Sequence, residues 1–216
     1  MAKGTLFGVV HSSTTLHLIQ QNVEVGPAEP KTSLVEIPGG NGSIDLTEAL
    51  RAGVAYKDRT IKWTFALYPG EPWASQRSEV SNAINGKRLQ IVFDDDPTWY
   101  YDGRVSVTDH KSDNRLHQIT IEATCAPYKR KLTESAISTE LSTELVGISC
   151  AIGQMPLVPL ITVAQETVVQ YGEYSTTIQA GAHLLPDLLM SGTQTIKAKV
   201  TDGTGTISIT WREGSL

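Results

Sequence analysis

The stretch from Ile37 to Leu67, IPGGNGSIDLTEALRAGVAYKDRTIKWTFAL, restricts the possible folds of this chain more than any other. Gly39, Gly40 and Gly42 around Asn41 permit positive φ, so the backbone can reverse tightly here. Asp45 and Glu48 stand three apart ahead of Leu46, Ala49 and Leu50, the spacing of a helix N-cap with its reciprocal acid, which predicts a short turn of helix. Ile61, Trp63, Phe65 and Leu67 then alternate with Thr60, Lys62, Thr64 and Ala66, the period of a half-buried strand. The whole stretch is expected to mark the core of its domain, with the glycines reversing the chain and the four alternating apolar residues anchoring a sheet.

The same period-two pattern dominates the rest of the chain. Short strands are expected around Leu16 to Val25 and at Val35 and Ile37, separated by a turn cluster from Gly26 to Pro30. From Trp73 to Asn85 the period becomes helical, with Trp73, Val80, Ala83 and Ile84 on one side and Gln76, Ser78, Glu79 and Asn82 mostly elsewhere. Pro72 suits the first helical position and Gly86 the position past the end. Alternation resumes at Leu89, Ile91 and Phe93. After the turn Asp94 to Pro97, Val105 and Val107 pair with His117 to Cys125 as a hairpin, turning over Asp109 to Asn114. Beyond Lys129, Arg130 and Lys131 the composition shifts to Ser and Thr, which places a domain boundary at 131/132. The second half reads as an all-β sandwich, closing on a hairpin of Ile196, Ala198 and Val200 with Ile207, Ile209 and Trp211, and HLLPDLLMSG plugs apolar side chains into its core.

Composition excludes several functions. At 216 residues, with 18 basic and 23 acidic side chains and a net charge of −5, the chain lacks the basic excess that a phosphate backbone attracts. No run approaches the roughly 20 apolar residues that cross a bilayer and no signal-peptide core opens the chain, so a soluble protein made in a cytoplasm is expected. The two cysteines, Cys125 and Cys150, fall on apolar strand faces and read as small core residues rather than a disulfide or metal site. His11, His17, His110, His117 and His183 show no metal-ligand spacing, and Asp94 to Asp96 lack the spaced oxygens of a calcium loop. Gly39 to Gly42 has no phosphate-loop Lys, and no serine sits in a nucleophile elbow. No enzyme, cofactor or metal is expected.

Taken in order, IPGGNGSIDLTEAL with YKDRTIKWTF, INGKRLQIVFDDDPTWYYDGRVSV, ITIEATCAPYK and GTGTISITWREGSL resemble the distal tail proteins of long, non-contractile-tailed phages over nearly the whole chain. The resemblance implies a mainly β fold: an N-terminal β-rich, ring-forming domain (1–131) with one helix and a long hairpin, then a galectin-like sandwich (132–216). It implies a homohexameric ring at the virion tail tip, a baseplate hub joining the major tail-tube protein to the tail-associated hub or fibre protein, with the tape-measure protein a further partner. DNA would pass through without sequence-specific binding, and the part would be made in the host cytoplasm. A ring needs a head-to-tail interface. Trp99, Tyr100, Tyr101 and Arg104 have the composition of an interface core, packing within their own domain being the other reading. The alternative function is a carbohydrate-binding module contacting host wall polysaccharide, with Tyr171, Tyr174 and Trp211 as platform candidates.

Overall fold

A computed structural model describes residues 4–49, 53–67, 72–112 and 117–216, which divide into two compact units, Met1–Lys129 and Arg130–Leu216. The strands of the first unit are β1 (Thr5–Phe7), β2 (Val10–His11), β3 (Leu18–Val25), β4 (Leu34–Glu36), β5 (Ser43–Asp45), β6 (Arg59–Leu67), β7 (Arg88–Phe93), β8 (Trp99–Ser112) and β9 (His117–Cys125), with helix α1 (Trp73–Ile84) between β6 and β7. Seven of these strands form one antiparallel run in the order β2-β1-β7-β8-β9-β6-β3. Its two end strands follow each other in the sequence. The link 12–17 is too short to cross a flat sheet of that width, so the sheet curls until its edges meet. Leu18 N–H donates to Ser12 C=O at 2.9 Å, and Thr5 Oγ1 donates to Gln20 Oε1 at 2.8 Å across the closure.

The concave side of that sheet is the core. Ile61, Trp63 and Phe65 of β6 are fully buried and Leu67 nearly so, meeting Ile119, Ile121 and Ala123 of β9 and Val105 of β8. Alternation at Ile61–Leu67 is therefore a sheet face, as expected. Helix α1 packs Val80 and Ile84 into the same core. Gln76, expected away from the packed side, is also buried, because its Nε2 donates to the Leu16 carbonyl and satisfies an otherwise orphaned acceptor. Pro72 occupies the N-cap rather than the first helical position. Gly86, just past the helix, takes φ +74°, the left-handed value that ends helices.

Two expectations for the opening stretch do not hold. Asp45 starts no helix: it closes β5, and its Oδ1 accepts from Thr47 N–H at 2.9 Å, a local turn that competes with helix initiation. Nor does the first part of the stretch belong to the core. Residues 31–46 are exposed throughout, with β4 and β5 forming a separate two-stranded hairpin whose turn is made by Gly39 and Gly42 at φ +78° and +77°. Leu50, expected on the same short helix, lies outside the described residues. Asp109 to Ser112, expected to turn the chain, instead extend β8 and stay paired with β9, and Asp113 and Asn114 lie outside the described residues.

The second unit begins within β10 (Lys129–Lys131) and holds β11 (Ser135–Leu141), β12 (Val146–Ala151), β13 (Leu160–Val163), β14 (Thr167–Tyr171), β15 (Tyr174–Ile178), β16 (Gly181–Leu184), β17 (Thr193–Val200), β18 (Gly205–Trp211) and β19 (Gly214–Ser215). Two four-stranded sheets, β11-β18-β13-β16 and β12-β17-β14-β15, face each other across one core. Ile161, Ile207 and Ile209 come from the first sheet and Cys150, Val169 and Ile196 from the second. Leu188 and Met190, from HLLPDLLMSG, fill the same core as expected. The strand expected from Leu157 starts at Leu160, Leu157 contributing only a single bridge to Met190.

Candidate assembly surface

Trp99, Tyr100, Tyr101 and Arg104 all lie on β8, but the pleat of the strand divides them. Trp99 and Tyr101 share a face with Val105, while Tyr100 and Arg104 point the other way. Tyr101 is buried, its ring 5.8 Å from Phe93 and 5.6 Å from the Arg59 guanidinium. Trp99 is half-buried beneath Lys129, whose Nζ lies 5.1 Å from the indole and 2.7 Å from Asp96 Oδ2. Tyr100 is buried on the opposite face. Arg104 is exposed there and donates to the Gly86 carbonyl at 2.6 Å. It sits directly opposite Arg88, whose charge is met by a two-pronged contact to Asp102 at 3.0 and 2.7 Å. Sequence adjacency therefore does not make these four one patch.

The structure offers a different surface that the sequence reading assigned to the core. Between β3 and β6 the chain leaves the sheet as a ribbon. Lys31 N–H donates to Ala55 C=O and Lys57 N–H to Glu29 C=O, each at 2.8 Å, and the ribbon carries the β4–β5 hairpin at its end. Val35 and Ile44 are directly opposed on one face, 47% and 50% exposed, and Ile37 and Leu46 continue that alternation. The other face sets Leu34 opposite Asp45 and Glu36 opposite Ser43. One face of the arm is thus apolar, and the other sets the acids Glu36 and Asp45 beside an exposed Leu34. A period-two apolar pattern looks the same whether its own chain or another molecule covers it. The available signal was charge: residues 34–49 contain Glu36, Asp45 and Glu48 and no Lys or Arg.

Elsewhere, His11, Cys125 and Cys150 are committed to structure. His11 Nε2 lies 3.0 Å from Asp94 Oδ1 and its Nδ1 is 3.1 Å from Ser13 Oγ, the residue types of a hydrolytic triad. That Nδ1 also accepts the backbone N–H groups of Ser13 and Thr14, both at 3.3 Å, so the ring caps a turn and its lone pair is engaged. Burial pushes the Cys125 thiol up to about 12, with Asp102 adding to the shift, and burial also raises Cys150; both are free thiols. His110 is held below its ordinary 6.5, by burial first and Arg77 second. Among the described residues no group of three or more His, Cys, Asp or Glu could hold a metal ion.

In the second unit the expected sugar platform is not assembled. Trp211 is only 7% exposed, and its Nε1 donates to the Ala151 carbonyl at 3.1 Å. Tyr171 and Tyr174 face each other across the β14–β15 hairpin, half-buried against the core. A sugar-binding aromatic needs an open face.

Neither protein-family models nor curated protein sequences match the chain. Among solved structures it is similar to the Dit protein (gp 19.1) of phage SPP1, described as a paradigm of the hub adsorption apparatus in phages that infect Gram-positive bacteria. Identity is 15%, the TM-score is 0.68, and the alignment covers 100% of both chains. From its curled sheet to its terminal sandwich, the chain has the fold of that phage hub protein.

Proposed function

We propose that this protein is a structural component of a phage tail tip, a homohexameric ring that connects the tail tube to the tail-tip and host-adsorption proteins. The observation that carries this reading is the β4–β5 arm, on a fold shared with a phage hub protein. Val35, Ile37, Ile44 and Leu46 leave 43–50% of their surface exposed on one face of a hairpin that nothing among the described residues of its unit covers. An apolar face of that kind is stabilised by another molecule. A protruding arm received by a different surface of the next copy is the head-to-tail contact that closes rings. Residues 1–131 would form the ring and 132–216, as a galectin-like domain, would face the other tail-tip parts. The partners would be the major tail-tube protein, the tail-associated hub or fibre protein and the tape-measure protein, with DNA passing through the channel unread. The protein acts by geometry and performs no catalysis. Its place is the tip of the virion tail, and it is made in the host cytoplasm.

Light scattering over a concentration series, with negative-stain images, tests the reading. Rings of six are expected for the natural chain, and Val35→Ser with Ile44→Ser is expected to leave folded monomers. A chain that stays monomeric at every concentration, and forms no rings alongside its tail-tube partner, would overturn it.

A further inference from the structure

Arg59 opens β6 with its side chain on the concave face of the curled sheet, in the same parity as Ile61 and Trp63. It is 6% exposed, and its Nε is buried without a hydrogen-bond partner. Its contact is with the face of Tyr101, 5.6 Å from the guanidinium to the ring centre. A ring face is a weak substitute for a carboxylate, because a guanidinium taken out of water keeps most of its desolvation cost unless an anion or carbonyl oxygens meet its fork. Sequence neighbours do not supply one. No ion pair joins Arg59 to Asp58 among the described residues, and Asp102 holds the Arg88 guanidinium. Beside Arg59 the same end of the sheet is collared by aromatic rings, Tyr56 against Tyr128 at 5.8 Å and Trp99 beneath Lys129.

The arm carries the complementary charge. Its acidic face presents Glu36 and Asp45. Asp45 is turned back onto Thr47 N–H, whereas Glu36 is exposed on β4 and makes no ion pair among the described residues. No ion pair joins Glu36 to the Arg59 of its own chain among the described residues, and the ribbon that carries Glu36 leaves the sheet at Gly26 and Thr60 and continues past the Pro30–Tyr56 bridge.

Building on the ring reading, we propose that Arg59 is the seat for the carboxylate of Glu36 from a second copy of this chain. The neighbour's arm would lay the face that carries Glu36 on the aromatic collar and turn its opposite, apolar face to another surface of the ring. Each copy then donates an arm at one surface and receives one at another, which gives a head-to-tail contact. The guanidinium would gain its anion only on assembly, so the isolated subunit would hold an incomplete site.

The test uses the full chain, with light scattering across concentration for the natural protein and for Glu36→Gln, Glu36→Lys and Arg59→Met. Glu36 is exposed on the arm, so its variants leave the fold intact. Glu36→Gln is expected to raise the concentration of half-assembly about thirtyfold or more, and Glu36→Lys to abolish rings at low salt. Arg59→Met should lose assembly while the thermal midpoint of its monomer stays at or above that of the natural monomer, since an unpaired buried cation has been removed. Glu36 variants that form rings at the natural concentration would overturn the proposal and leave the ring reading standing. A natural chain that never assembles would remove both.

Discussion

Replacing Trp63 separates what its ring contributes from what its nitrogen costs. The side chain is fully buried, between Val23 of β3 and Ile121 of β9 in the ladder, with Phe7 edge-on at 5.2 Å and Phe93 tilted at 5.9 Å. Deleting a ring of this size from a packed core costs about 3–5 kcal/mol. Against that, Nε1 is buried with no partner, and an unsatisfied donor in such a place is destabilising by about 1–3 kcal/mol. Trp63→Ala removes both, so the loss should fall near 3 kcal/mol, toward the lower end of the range. Trp63→Phe keeps most of the packing and removes the orphaned N–H, so it should lie within about 1 kcal/mol of the natural chain. Urea unfolding followed by fluorescence can read this, because Trp73 and Trp99 still report on the first unit after Trp63 is gone. A Trp63→Ala midpoint equal to the natural one would refute core placement. A Trp63→Phe loss as large as that of Trp63→Ala would refute the cost assigned to Nε1.

Gly103→Ala should destabilise the first unit by about 1–3 kcal/mol. An added Cβ would clash with Cys125 Sγ and stand 2.8 Å from the Thr124 carbonyl. Adding Cys125→Ala should recover only part of the loss in the unfolding midpoint, since the carbonyl cannot yield as a side chain does. Cys125 and Cys150 are buried with raised thiol pKa values, so a thiol reagent at mildly alkaline pH should label neither in the native chain and both in urea; rapid native labelling would show that the cores open. His110 is depressed below 6.5, so the neutral ring favours folding: its contribution is complete above pH 6.5 and is lost as pH falls through the lower folded value. His110→Asn should therefore flatten the acid decline in thermal midpoint below pH 6.5, and an unchanged slope would count against it.

Strand faces were legible wherever the apolar residues point into their own core. Ile61 to Leu67, Ile119 to Cys125 and Ile207 to Trp211 each have the parity that alternation implies. Helix α1 was legible from its change of period and from Gly86 at its end, but the burial of Gln76 was not, because it answers a carbonyl at Leu16 that is distant in sequence. Alternation could not distinguish an arm from a core strand: Val35 and Ile44 carry the same pattern as Ile61 and Trp63, and only the third strand packed beside them differs. The Asp45 and Glu48 pair met the spacing of a helix start, yet a two-residue side-chain turn to Thr47 satisfied the same acid more locally. The aromatic run of β8 shows a different limit. Adjacent residues of a strand face opposite ways, so composition over a short window describes two surfaces at once.

The closure of the first sheet bears on how the chain misassembles. Because Leu18 of β3 bonds the Ser12 carbonyl just past β2, and Gln20 of β3 accepts from Thr5 of β1, the large sheet of that unit leaves little free ladder for a foreign strand to extend. The sandwich is built otherwise, with each sheet ending in two open strands, β11 and β16 in one and β12 and β15 in the other. Three of those four, VGISCA, YSTTI and GAHL, carry no Lys, Arg, Asp or Glu to turn an incoming strand away. A foreign strand that extends the sandwich would add at one of these edges, and a single lysine at Ala182 on β16 is expected to slow it.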